Sequence, residues 1–301
     1  MRRASLLSIV AVVALVFFGH CAAAEQAYEA ISEGGIEFAN PDDQHLTLDL
    51  ARPDGEGPFP AVVCIHGGGF REGDQSYYDA TCEDLARHGY VAITINYRLA
   101  PQFPFPAAVE DCKAAVRWLR ANADKYHIDP DRIGTVGCSA GGTLAEFLGV
   151  TGDQKKYEGT GGNPDQSSKV KCVVEFFGAN DLTKSYDKST DAATVLPLYL
   201  GGNLEEARER HVEASPITWV TAKSAPTLCI HGTEDELVAL EQSELMVDKL
   251  KAAGVEAKLL VMKGAGHGFE GEQQEQADKA MIKFFDAHLK AGGKDAVNGK
   301  K

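Results

Sequence analysis

Positive charge is in short supply in this chain. Thirty lysines and arginines stand against 44 acids, a formal net charge of −14. Such a surface repels nucleic acid and anionic membranes and argues against both as partners; it also mildly disfavours strongly anionic substrates. No C-x-x-C or H-x-x-x-H spacing occurs, so no zinc or other metal site is expected. No lysine-bearing phosphate loop is present, which removes one of the usual nucleotide cradles. Internal repeats and low-complexity tracts are missing. The longest apolar run, Leu6 to Phe18, is too short for a comfortable membrane span.

That run belongs to a targeting segment. Arg2 and Arg3 precede it and Ala22-Ala23-Ala24 follow it, the pattern of a secretory signal peptide cut after Ala24. Residues 1–24 are therefore expected to be removed, leaving an exported protein, periplasmic or extracellular. His20 before Cys21 is a poor match to a lipoprotein anchor. Export would leave six cysteines, an even number that suggests disulfides. Their positions argue otherwise. Cys64, Cys172 and Cys229 lie inside apolar runs, Cys138 sits in a glycine-rich turn, and Cys82 and Cys112 fall on successive helices expected on opposite faces of a sheet.

At 301 residues, 44% of them hydrophobic, the chain can build one large domain with a sizeable core. Alternating segments at 36–39 and 45–50, joined by Asn40-Pro41-Asp42-Asp43, read as a hairpin. The rhythm then changes to near-continuous apolar strands at 60–65, 90–96, 133–137, 170–177, 227–231 and 257–262. Amphipathic stretches at 78–88, 107–122, after Ser139, at 240–252 and at 273–289 separate them. This alternation predicts an α/β fold: a mostly parallel sheet with an N-terminal antiparallel hairpin and helices on both faces. Residues 25–291 form that domain. Residues 182–225 break the alternation with charge, Pro197, Gly201, Gly202 and Pro216, and read as a short cap or lid insertion. Residues 292–301 are a polar tail.

Four segments carry chemistry. In Gly137-Cys138-Ser139-Ala140-Gly141-Gly142, a strand leads through a sharp turn into a helix with serine at the apex. A serine hydroxyl needs a base to become a nucleophile, and histidine is suited to that task near neutral pH. His267, in Gly264-Ala265-Gly266-His267-Gly268-Phe269, follows the last strand at the end of the sheet where sites form in open α/β folds. An acid that orients the histidine belongs between the two in the chain. Asp235 follows the strand ending at His231, with Glu234 and Glu236 as rivals that spacing does not exclude. Finally, His66-Gly67-Gly68-Gly69-Phe70 follows a strand directly. Its backbone N–H groups, with that of Ala140, can face a developing oxyanion, while His66 braces the loop.

These pieces, with Tyr97-Arg98-Leu99-Ala100-Pro101, resemble the α/β-hydrolases of the hormone-sensitive-lipase-like esterase group over residues 36–290. The resemblance implies the α/β-hydrolase fold, a carboxylic-ester hydrolase with a covalent acyl-enzyme on Ser139 and no cofactor. It also implies oxyanion donors at Gly68, Gly69 and Ala140. Two departures, Cys138 in place of the usual aspartate and a short N-terminal cap, are more similar to secreted bifunctional acetyl-xylan and feruloyl esterases. A short cap implies an open site and, as partner, a small ester or acylated polysaccharide. Two other readings stand beside this one: an amidase or peptidase of the same fold, and a catalytically silent binding module on a hydrolase scaffold.

Overall fold

The computed structural model describes residues 28–290; residues 1–24, where a signal peptide is expected, and the tail 292–301 lie outside the described residues. In chain order the elements are β1 (Ala30–Ala39), β2 (Leu46–Pro53), β3 (Phe59–Ile65), α1 (Asp79–Arg87), β4 (Val91–Ile95), α2 (Ala107–Ala121), α3 (Ala123–Tyr126) and β5 (Ile128–Cys138). There follow α4 (Ala140–Val150), β6 (Val173–Phe176), α5 (Ala192–Leu200), α6 (Arg208–Ala214), β7 (Thr227–Gly232), α7 (Glu241–Ala252), β8 (Ala257–Met262) and α8 (Gly271–Leu289).

The eight strands form one sheet in the order β1-β2-β4-β3-β5-β6-β7-β8. β1 and β2 form the antiparallel hairpin, β2 meets β4 antiparallel, and every pair from β4 to β8 is parallel. The buried strands show why the apolar runs are continuous. On β3, Ala61, Val63 and Ile65 face the layer that holds α2 and α4, while Val62 and Cys64 face the layer of α1 and α8. On β7, Cys229 packs with Met246 and Leu250 of α7, and Leu228 and Ile230 pack on the α8 side. Helices therefore cover both faces, and every residue of β3, β4, β6 and β7 is buried whichever way it points.

Some boundaries differ from the sequence reading. β1 begins at Ala30, not at 36, because its first half is exposed and irregular in register, which erases the alternation. β5 starts at Ile128, through the polar run Asp129-Pro130-Asp131-Arg132. β6 is shorter than the apolar stretch around it. The insertion 182–225 holds two helices, of which α5 is almost wholly apolar although Pro197 lies within it. All six described cysteines are free and buried. Cys82 and Cys112 do lie in opposite layers, but Cys82 Sγ lies 3.8 Å from Cys64 Sγ, a proximity that sequence spacing does not reveal.

One polar cluster braces the top of the sheet. The buried Arg98 guanidinium donates to both Asp111 oxygens and to Asp42, and the Arg98 amide donates to Asp111 at 2.8 Å. Two residues on, the Ala100 amide donates to the Phe70 carbonyl at 2.9 Å, so this cluster supports the glycine loop. Removing one partner leaves a buried charge uncompensated. Asp111→Ala is expected to lose about 3–5 kcal/mol of stability. Asp42→Ala, whose carboxylate is mostly exposed, should lose about 0–1 kcal/mol. Urea denaturation of the two variants against the parent protein checks both values.

Candidate active site

The site forms where the chain switches direction across the sheet. β3 pairs with β4 on one side and β5 on the other, so the loop after β3 and the turn after β5 come together at the strands' carboxyl ends. Ser139 sits between β5 and α4 with φ 54° and ψ −122°, a conformation that thrusts the side chain out of the turn. Its amide donates to the Phe176 carbonyl at 2.9 Å. Glycine is required on both sides. A β-carbon at Gly137 would lie 2.2 Å from the Gly141 oxygen, and one at Gly141 would lie 2.1 Å from the Ile65 oxygen.

The structure brings the three sequence candidates together. His267 Nε2 lies 2.8 Å from Ser139 Oγ, and His267 Nδ1 lies 2.7 Å from Asp235 Oδ2. With a carboxylate as its neighbour, Nδ1 carries the ring proton, leaving Nε2 to accept from the serine hydroxyl. Phe177 packs on the imidazole with ring centroids 4.6 Å apart, which limits the ring's rotation. Asp235 is the buried member of its run, whereas Glu234 and Glu236 are exposed. Its Oδ1 accepts the amides of Leu237 and Val238 at 2.9 and 2.8 Å. Burial pushes the Asp235 carboxyl up. Hydrogen bonds from His231, His267 and the Val238 amide outweigh that effect and hold it well below the usual carboxylate range.

The glycine loop is shaped from both sides. Gly68 and Gly69 adopt φ 110° and 58°, and among the described residues their amides donate no hydrogen bond. The Ala140 amide, first in α4, has no partner within its helix. His66 does brace the loop. Its Nδ1 lies 2.7 Å from the Gly67 oxygen, its ring stacks on Tyr97 with centroids 4.3 Å apart, and burial lowers its pKa. Phe70 stacks on Tyr199 of α5 at 3.8 Å, which ties the insertion to the loop.

A cavity of about 440 Å³ opens over Ser139. Val195 and Leu196 of α5 give it an apolar wall, and Arg71, Glu72, Tyr77 and Lys188 also line it. Sequence reasoning missed Phe177, Tyr77 and the α5 wall, since each belongs to a segment with no motif of its own. Cys138 is buried beneath the turn. Among the described residues no cluster of His, Cys, Asp and Glu could hold a metal ion. A nucleophile, a base, an oriented acid and free amides around one cavity are the parts an acyl-transfer reaction requires.

Comparison with known proteins agrees with this architecture. The BD-FAE family model matches residues 48–250, which include the glycine loop, Ser139 and Asp235; His267 lies beyond the match. The chain is 34% identical over 221 residues to esterase LipC of Mycobacterium tuberculosis, covering 71% of this chain and 54% of that protein, so it spans about half of LipC's length. It is 30% identical over 261 residues to an ethyl acetate hydrolase of Pseudomonas putida, covering 84% and 80%. A solved truncated carbohydrate esterase from gut microbiota superposes with a TM-score of 0.75 at 29% identity, over 87% of this chain and 96% of that one. The fold is that of the α/β-hydrolase esterases, and the chain belongs to the BD-FAE family.

Proposed function

We propose that this chain is an exported serine carboxylesterase that hydrolyses small acyl esters, acetyl or feruloyl in type, on plant polysaccharide or a related polyol. One observation carries the reading: an unbroken line of hydrogen bonds runs from Ser139 through His267 to Asp235, beside amides with no partner among the described residues. In this reading Ser139 Oγ attacks the ester carbonyl while His267 Nε2 takes its proton. The amides of Gly68, Gly69 and Ala140 receive the oxyanion. His267 returns the proton to the departing alcohol, and an acyl-enzyme remains on Ser139. Water, deprotonated by the same imidazole, then releases the carboxylic acid. Asp235 keeps its charge throughout and stabilises the imidazolium.

The substrate class rests on the shape and lining of the cavity. Its volume and the Val195–Leu196 wall suit a short acyl group. Arg71, Glu72 and Lys188 offer donors and acceptors to a hydroxyl-rich alcohol. The ethyl acetate hydrolase and the carbohydrate esterase among the similar proteins support ester over amide chemistry. Export rests on residues 1–24.

Ser139→Ala and His267→Ala are each expected to lower kcat about 10⁴–10⁶-fold with the fold retained, as followed by steady-state kinetics and circular dichroism. Asp235→Asn should cost about 10³–10⁴-fold. Parent-level activity in the serine variant would remove the assignment. In a panel of acetyl, butyryl, octanoyl and feruloyl esters, acetylated xylan, aminoacyl anilides and a formyl amide, acetyl or feruloyl esters should turn over fastest. Faster amide cleavage would favour an amidase, and no turnover together with no fluorophosphonate labelling of Ser139 would favour a binding module. Expression in a Gram-negative host should yield exported protein whose N-terminus, read by mass spectrometry, is Glu25.

A further inference from the structure

Asp235 Oδ2 is shared by two histidines. Besides His267 at 2.7 Å, it meets His231 Nε2 at 3.3 Å, and the same Nε2 lies 2.8 Å from the Val238 carbonyl oxygen. On the other side of the ring, His231 Nδ1 lies 2.7 Å from Ser243 Oγ of α7, and that hydroxyl donates to Glu175 Oε2 of β6 at 3.3 Å. His231, Ser243 and Glu175 are completely buried, as is the Asp235 side chain. A continuous chain, buried from Glu175 to Asp235 and opening at the cavity, thus runs Glu175–Ser243–His231–Asp235–His267–Ser139.

The donor and acceptor inventory settles where the protons sit. Nε2 of His231 faces only acceptors, a carbonyl and a carboxylate, so it carries a proton. Nδ1 faces a hydroxyl that is placed to give its own proton to Glu175, which leaves Nδ1 free to act as a donor as well. Glu175 is met by donors only: the Gly178 amide, the Cys229 thiol and the Ser243 hydroxyl. Behind it, Glu146 of α4 is buried with one oxygen unpartnered. Burial and the neighbouring Glu175 push its carboxyl well up; burial raises Glu175 too, but His231 and the three donors oppose that, so of the two carboxyls Glu175 is the one placed to carry the charge. The Phe177 ring also neighbours His231, 6.4 Å away centroid to centroid.

We propose that His231 is a positioning residue: an imidazolium held between Asp235 and Glu175, which orients the Asp235 carboxylate and draws off part of its charge, so that it tunes the basicity of His267. The hydrogen bonds with Asp235 and Val238 and the charge of Glu175 outweigh the burial that opposes a charged ring, and raise the His231 pKa. Two imidazoles compete for one carboxylate oxygen. While His231 carries its charge, less of the carboxylate's charge is left to stabilise an imidazolium at 267. Neutralising His231 removes a cation from the neighbourhood of His267, so the imidazolium formed there is better stabilised.

The experiment is the pH profile of kcat/KM for 4-nitrophenyl acetate, with the role of His267 as base taken from the functional reading above. His231→Gln keeps an N–H donor but cannot be charged. Ser243→Ala keeps the ring but severs its link to Glu175. Both should move the acid limb to higher pH, by about half a unit or more for His231→Gln, which is about a threefold loss at a fixed pH on that limb. A folded His231→Gln protein with a lowered plateau but an unmoved limb, or one moved to lower pH, would overturn the proposal and leave His231 a purely structural role. A second readout needs no turnover. In nitrogen-15 spectra of Ser139→Ala, the His231 ring should show two protonated nitrogens at neutral pH, and a neutral ring would overturn the proposal. If the parent protein hydrolyses no ester, the functional reading fails while the spectra still decide the charge of His231.

Discussion

A β-carbon on Gly141 would lie 2.1 Å from the carbonyl oxygen of Ile65, and that close passage sets the geometry of the whole site. It lets the turn after β5 tuck beneath the end of β3. The amide of Ala140 and the glycine loop that begins at His66 thereby come to the same rim. Any side chain at 141 would push them apart. The positive φ of Ser139 follows from the same constraint, because the chain reverses from strand to helix within a single residue. The strain is stabilised by surroundings that over-determine it: the Ser139 amide is held by Phe176, and α4 is buried along its whole length.

Around that turn, buried polar groups do the orienting. Arg98 and Asp111 hold the 97–101 segment that braces the glycine loop from outside the cavity. The two backbone amides on Asp235 Oδ1 fix one edge of its carboxylate and leave Oδ2 for histidine. These groups are costly to bury and gain their value only because each has partners. The insertion contributes differently. Through Phe70 on Tyr199 and Val195 beside Gly69, α5 presses an apolar wall against the glycine-loop side of the cavity. The apolar wall and the glycine loop are thereby mechanically joined.

Much of this was legible from residue order. The unbroken apolar runs of β3, β4 and β7 announced a sheet covered on both faces, since strands with one wet face would alternate. The serine turn, glycine loop and histidine loop were visible because close backbone passage demands glycine in short, recognisable clusters. What stayed hidden has a common cause. β1 began unseen because an exposed, bulged half-strand has no periodicity to read. The helices of 182–225 were masked by charge and by Pro197, although tertiary packing tolerates both.

The sequence alone determined the architecture and pointed to the serine turn, the histidine loop and the glycine loop around the cavity, because periodicity and glycine clustering are local properties of the chain. Only the tertiary structure chose Asp235 over Glu234 and Glu236, since three adjacent acids differ solely in which one the loop turns inward. It alone placed Phe177 against His267, Cys82 beside Cys64, and His231 between two carboxylates. Those contacts join residues on different strands and helices. Their distances depend on how layers pack, and no spacing along the polymer encodes that.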